Sequence, residues 1–291
     1  MKKITLLLSF VFSAFAVISC EKEKKTYDDL IVQGIICNGL PPVITLQKGV
    51  PLNGTDEKSL MEAFAESVVT DGEITISDGT TTYKLIGVPD TTYSIGFVYT
   101  SMEFVGIPGK TYSLTATHNG QTVTATTTIP FPVEIKKIEF SAPNEEYRNV
   151  HLYWDGTDAS EDYFAAFYHY PVYNEFIISV LGTKMQAQAN QNDMTISVLR
   201  MKSLMETVDT TGTYTYSTNF KLGDQIVVRL AHLDKQSFAY WNALCTNFTQ
   251  GMAFLTTYEK LKSNTSNNVG YFSGMGVCDR FVTITDSVDT Q

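Results

Sequence analysis

Charge is scarce in this chain and unevenly signed. Only 18% of its 291 residues are charged, and 21 Lys plus Arg stand against 31 Asp plus Glu, a formal net charge of −10. Binding to phosphate needs clustered basic side chains, so nucleic acid is excluded as a partner. Cysteine is also rare, with 4 in all and no C-x-x-C pair, which leaves neither a thioredoxin motif nor a zinc knuckle. The 4 histidines, His118, His151, His169 and His232, show no H-x-H or H-x-x-x-H spacing. No metal or other cofactor is therefore expected. Beyond the N-terminus no run reaches about 18 apolar residues, so the body carries no expected membrane-spanning helix. There is no short-period repeat and no low-complexity tract. What is present is aromatic and aliphatic. With 16 Tyr, 17 Phe and 43% hydrophobic residues, most of the chain is folded rather than disordered.

The first twenty residues carry the most specific signal. Lys2 and Lys3 make a basic n-region, and residues 4–18 are uncharged and mostly Leu, Phe, Val and Ala. This is the pattern of a signal peptide over residues 1–19. Val17, Ile18, Ser19 and Cys20 follow as an aliphatic residue, a tolerant position, a small residue and a cysteine, which is a bacterial lipobox. Cys20 is the expected lipidation site and first mature residue. Each buried acyl methylene contributes roughly 0.8 kcal/mol, so several chains hold a protein on a membrane without a spanning helix. Residues 20–29 are a charged spacer. Cleavage removes Lys2 and Lys3 and sharpens the formal charge from −10 to −12.

The body reads as mainly all-β. Strand-like stretches fall at 30–37, 43–47, 73–77, 82–86, 94–99, 111–118 and 121–128, with one helical stripe over 59–69 from Leu60, Ala63 and Phe64. Asn119-Gly120 between two alternating Thr-rich runs is a strong hairpin signal, since both turn positions need positive φ. Short strands with turns between them fit an immunoglobulin-like β-sandwich over 30–130. Pro130 and Pro132 interrupt any ladder and place a boundary there. A second β-rich domain is expected over 133–291, with strands at 150–154, 163–170, 195–199, 213–220, 225–233 and 281–285 and a helix near 235–248.

Several tempting motifs dissolve on inspection. Pro108-Gly109-Lys110-Thr111 resembles the end of a phosphate loop, but that motif needs Gly where Phe104 stands. Asp71-Gly72 and Asp78-Gly79 are turns, because the ladder of oxygens of a calcium loop is missing. No G-x-S-x-G elbow surrounds Ser273. No catalytic residue is assigned. Tyr163, Phe164, Phe167, Tyr168, Tyr170 and Tyr173 form an aromatic run. Alternation puts these on two faces of a strand, of which at least one is buried; a core strand is the first reading and an exposed ligand platform the second. Among Cys37, Cys245 and Cys278, one disulfide between Cys245 and Cys278 stands beside the alternative of three buried free thiols. Asp90-Thr91-Thr92, Asp209-Thr210-Thr211 and Asp286-Ser287-Val288 resemble an O-glycosylation acceptor.

Taken in order, Val32-Gln33-Gly34, Gly109-Lys110-Thr111-Tyr112-Ser113-Leu114, residues 126–130, Tyr163-Phe164 after Asp155, and Gly270-Tyr271-Phe272 give the chain a family likeness. It resembles the Bacteroidetes lipoproteins of domain-of-unknown-function family 4249 over roughly residues 20 to 285. That resemblance implies a neighbour among TonB-dependent outer-membrane transporters and an accessory role in uptake. It implies no catalytic residues and no cysteine pairing.

The expected function is that of a non-enzymatic lipoprotein of the outer membrane, facing the cell surface, which captures ligand for or caps a TonB-dependent transporter. A structural or adhesive lipoprotein binding host or matrix polymer is the alternative. A glycan or peptide hydrolase ranks third; a Ser–His pair or paired carboxylates brought together by the fold would revive it.

Overall fold

The computed structural model describes residues 29–49, 57–93, 95–142, 145–200, 207–208, 214–215, 219–249 and 261–286. The signal peptide, Cys20 with most of its spacer, and Asp209-Thr210-Thr211 lie outside the described residues, as do Ser287 and Val288. In chain order the elements are β1 (Leu30–Cys37), β2 (Val43–Lys48), α1 (Glu57–Ser67), β3 (Glu73–Ser77), β4 (Thr82–Lys84), β5 (Ile86–Pro89), β6 (Phe97–Thr100), β7 (Thr111–His118), β8 (Gln121–Thr128), β9 (Lys137–Ser141), β10 (Tyr147–Trp154), β11 (Asp162–His169), β12 (Ile177–Gln186), β13 (Met194–Val198), β14 (Thr207–Val208), β15 (Tyr214–Thr215), β16 (Phe220–Lys221), β17 (Gln225–Leu233), α2 (Lys235–Thr249) and β18 (Gly270–Thr283). The protein is all-β with two helices among these residues.

Two compact units divide the chain. The first draws on Met1–Pro130 and Lys260–Met275, the second on Phe131–Glu259 and Gly276–Gln291. An uninterrupted second domain over 133–291 is therefore corrected: residues 260–275 belong to the first unit. The reason is a long-range pairing. The first half of β18 lies parallel to β1, with Val32 opposite Gly270, Gln33 opposite Tyr271 and Gly34 opposite Phe272. Local pattern announces no such partner.

The first unit is an immunoglobulin-like sandwich. One sheet runs β1-β2-β6-β5 and the other β4-β3-β7-β8. These are the A-B-E-D and C′-C-F-G orders of the fold. Alternation along each strand turns one set of side chains inward. Val32, Ile36, Ile44 and Leu46 from one sheet meet Ile74, Ile76, Leu114, Ala116 and Val123 from the other. Each buried Ile, Leu or Val contributes about 1.5–3 kcal/mol relative to exposure. Asn119 and Gly120 adopt φ 47° and 78°, the two positive values that the β7–β8 hairpin requires. Tyr112, second residue of strand F, accepts a hydrogen bond from Ile107 N–H on its hydroxyl at 3.0 Å. That is the tyrosine corner of immunoglobulin-like domains.

The second unit is layered differently. The β9-β10-β13 sheet, joined by β16, faces β11 and β17 across a core that includes Val150, Leu152, Trp154, Phe164, Tyr168, Ile196, Val228 and Leu230. Helix α2 covers the opposite face of β11. Phe238 packs on Tyr163 at 4.9 Å between centroids, and Trp241 meets Phe167 edge-on at 5.0 Å. Asp234 caps the helix, accepting from Ser237 N–H at 2.7 Å. Strand β11 is thus buried on both faces, which explains why its run of apolar residues does not alternate.

Candidate functional site

The aromatic run settles into this core. Tyr163, Phe164, Phe167 and Tyr168 are buried; even positions point to the sandwich interior and odd positions to α2. An exposed platform of Tyr163, Phe167, Tyr168, Tyr170 and Tyr173 is therefore corrected. Tyr170 is half-buried, with its hydroxyl 3.4 Å from Asp224. Only Tyr173 of the set is exposed, beside Val172. His169 pins this turn through Nδ1 contacts to the carbonyls of Tyr170 and Tyr173.

The expected disulfide is corrected as well. Cys37, Cys245 and Cys278 are all buried, and none of them is in a disulfide. Cys245 lies on α2, where its thiol contacts Ser179 O at 3.4 Å. Cys278 lies on β18, near Ile135 N–H and the Glu134 carboxylate. Burial pushes the Cys245 thiol up to about 12, and burial also raises that of Cys278. Neither is a reactive thiolate.

Residues 108–111 form a turn entering a strand. Gly109 takes φ 80°, and Lys110 pairs with Asp78 at 2.7 Å, which holds the Asp78 carboxyl well below the usual range. Asp90-Thr91-Thr92 is a turn between β5 and β6 with Thr91 exposed and its two neighbours half-buried, and Asp90 accepts from Thr92 N–H at 2.9 Å. Among the described residues, no group of three or more His, Cys, Asp and Glu is placed to hold a metal ion.

The four histidines do not gather. His118 faces Asp71 at 3.2 Å, and His232 faces Asp162 at 3.1 Å and Phe131 O at 2.8 Å. His151 is different, because its partners are hydroxyls. Alternation on β10 sends Val150, Leu152 and Trp154 to the core and leaves Asn149, His151 and Tyr153 on the outer face. Strand β9 adds Lys137, Glu139 and Ser141 to that face, and β13 adds Thr195 and Ser197. His151 stands opposite Glu139 on one side and Ser197 on the other. Its Nε2 is 2.7 Å from Ser141 Oγ, and its Nδ1 is 3.0 Å from Ser197 Oγ. Burial lowers the imidazole from its ordinary value, with the charge of Glu139 opposing that shift. Glu139 is held as a carboxylate by hydrogen bonds from Lys137 and Tyr153. Local pattern could have found half of this cluster, since Lys137-Ile138-Glu139-Phe140-Ser141 alternates polar and apolar. The pairing with β13 is not local.

The residues that carry the family likeness have structural duties. Val32-Gln33-Gly34 and Gly270-Tyr271-Phe272 are register partners of β1 and β18. A Cβ on Gly34 would stand 2.5 Å from Ile44 Cδ1 and 3.0 Å from the Phe272 ring. Thr127 accepts from Gly274 N–H at 2.7 Å. Asn264, which sequence reasoning passed over, laces strands together: its amide donates to Thr126 O and Phe272 O and accepts from Phe272 N–H.

A family model described as a domain of unknown function (DUF4249) matches residues 18–280. No curated protein matches the chain. Among solved structures, a two-domain fibronectin type-III segment from chicken tenascin is similar at 11% identity and a TM-score of 0.19, covering 70% of this chain and 89% of its own.

Proposed function

The chain belongs to the DUF4249 family, and on that premise we propose that it is a lipid-anchored protein of a bacterial outer membrane that serves a TonB-dependent transporter by capturing its ligand or capping it. The observation that carries this reading is the lipobox at residues 17–20 behind a basic n-region and an apolar stretch. The family match begins at residue 18, so Cys20 falls inside it. Counting from Cys20, ten residues precede β1. Fully extended, these span at most about 35 Å, so the first unit is kept within a few nanometres of its anchor. The source in Bacteroidetes and the cell-surface face belong to this proposal, since both come from the family likeness and the charged spacer.

Metabolic labelling with a fatty acid and co-purification from detergent-solubilised outer membrane test it. Label is expected on the native chain and not on C20S, together with recovery of an outer-membrane transporter. Recovery only with inner-membrane proteins, or label retained by C20S, overturns it.

A second reading, a surface protein that binds a neutral polymer, is favoured by the outer face of β3, β7 and β8. Thr75, Ser77, Ser113, Thr115, Thr117, Thr122, Thr124 and Thr126 form a cross-strand array of hydroxyls there. Co-sedimentation with insoluble polysaccharide checks it.

A further inference from the structure

We propose that Ser141 is an activated nucleophile, with His151 as its general base, on the outer face of the β9-β10-β13 sheet. A serine hydroxyl is a weak nucleophile until an adjacent base takes its proton, and the recognisable arrangement is nucleophile to base to orienting group within hydrogen-bond reach. That arrangement is present. Ser141 Oγ lies 2.7 Å from His151 Nε2, and Ser197 Oγ lies 3.0 Å from Nδ1. When Nδ1 carries its proton and donates to Ser197, the Nε2 lone pair faces Ser141. Partial burial keeps the ring neutral at pH 7 and therefore able to accept a proton. Glu139, across the strand pair from His151, then favours the imidazolium once it forms.

The step balances without an added reactant. Ser141 Oγ forms a bond to an acyl carbon as its proton passes to Nε2. The bond from that carbon to the leaving oxygen or sulfur breaks, and the leaving group takes the proton from Nε2. Water repeats the sequence and releases the acid. Ser141 is exposed, so the oxyanion is met by solvent. The substrate class this suits is an activated ester or thioester, whose leaving group departs readily, rather than an amide. This inference is independent of the lipid anchor.

A fluorophosphonate probe tests it on the full chain, because Oγ displaces fluoride from phosphorus by the same proton transfer. The expected result is one adduct, mapped by peptide mass spectrometry to Ser141. S141A, a change at an exposed position, should lose the adduct while keeping the far-ultraviolet circular dichroism of the native chain. H151Q should slow labelling by about 10²-fold or more, the lower range of general-base assistance. The native rate should be at its plateau at pH 7 and fall in acid as the imidazole is protonated. Absence of a Ser141 adduct, or an adduct that H151Q forms at the native rate, overturns the proposal.

Discussion

Replacing Gly270 with Ala should destabilise the first unit by about 3–4 kcal/mol, because two separate costs fall on one methyl group. Gly270 adopts φ +87°, a region where an L side chain costs roughly 1 kcal/mol or more. Its Cβ would also stand 2.0 Å from Val32 O and 2.9 Å from Val32 C. Ordinary contact distances are about 3.5 Å, so the backbone must part by more than about 1 Å at the first register pair of β1 and β18. That opening weakens one or two ladder hydrogen bonds, at about 1 kcal/mol each, and loosens Phe272 and Val32 in the core. Gly120→Ala supplies the control. Gly120 has φ +78° and nothing within 4 Å of the position its Cβ would take, so only the conformational cost of about 1 kcal/mol applies. The assay is equilibrium urea unfolding read by far-ultraviolet circular dichroism. Tryptophan fluorescence runs beside it, because both tryptophans, Trp154 and Trp241, lie in the second unit. The two signals must be fitted separately, since two units need not unfold as one transition. A difference of about 2–3 kcal/mol between the variants is expected in the dichroism. Equal values within about 0.5 kcal/mol would refute the close approach of Gly270 to Val32.

Three further outcomes follow from buried groups. Tyr112→Phe removes the acceptor for Ile107 N–H while keeping the ring, which is 1% exposed; about 1–3 kcal/mol should be lost in the same unfolding assay, and an unchanged midpoint would remove the tyrosine corner from the account of stability. The cysteines should resist alkylation in the native state and react without prior reduction once unfolded, whereas any thiol that needs a reductant would contradict three free thiols. The raised Cys245 thiol also sets a sign: below about pH 9 both folded and unfolded thiols are protonated and its contribution is intact. As pH climbs from about 9 towards about 12 the unfolded thiol ionises first, so stability falls, by up to about 4 kcal/mol. Cys245→Ala should flatten that alkaline loss, as measured by urea midpoints at pH 8 and 10.5.

Local rules read the first unit well because its information is local. The Asn119-Gly120 turn, the alternation of β7 and β8 and the turn at Gly79 are each specified within a few residues. Strand β12 gives no strand signal in the sequence because its pattern is broken. The register with β11 shifts between Ala165 and Phe167, and Gly182 packs where a Cβ would meet Ser179 O at 2.6 Å. The single stretch expected at 82–86 is two strands, β4 and β5, because one buried residue, Leu85, is the break at which the chain crosses to the other sheet. The aromatic run was legible as core, yet the strand-period argument guaranteed only one buried face; α2 supplies the cover for the other. Pairings such as β1 with β18 depend on partners more than two hundred residues apart, which no window of sequence contains. In the Ser141, His151 and Ser197 cluster the first two lie on adjoining alternating stretches, whereas Ser197 reaches His151 only through the pairing of β10 with β13.

What the family likeness transmits is therefore scaffold. Each stretch that carries it has work in the fold: the paired β1 and β18 segments, the turn at Gly109 with Tyr112 behind it, the Thr127 bond to Gly274, and Phe164 in the second core. A ligand must be met by side chains that the core does not use, and these lie on outward strand positions and exposed turns. Substitution at those positions separates the two kinds of information. S141A and changes to the β7–β8 hydroxyl array remove chemistry from exposed or partly exposed positions, so they should leave unfolding midpoints within about 0.5 kcal/mol of the native chain. Gly34→Ala and Gly270→Ala should do the reverse, lowering stability without touching either outward face. Loss of binding or labelling in the first set with stability unchanged would locate function on the outer faces; loss only in step with unfolding would assign the faces to structure alone.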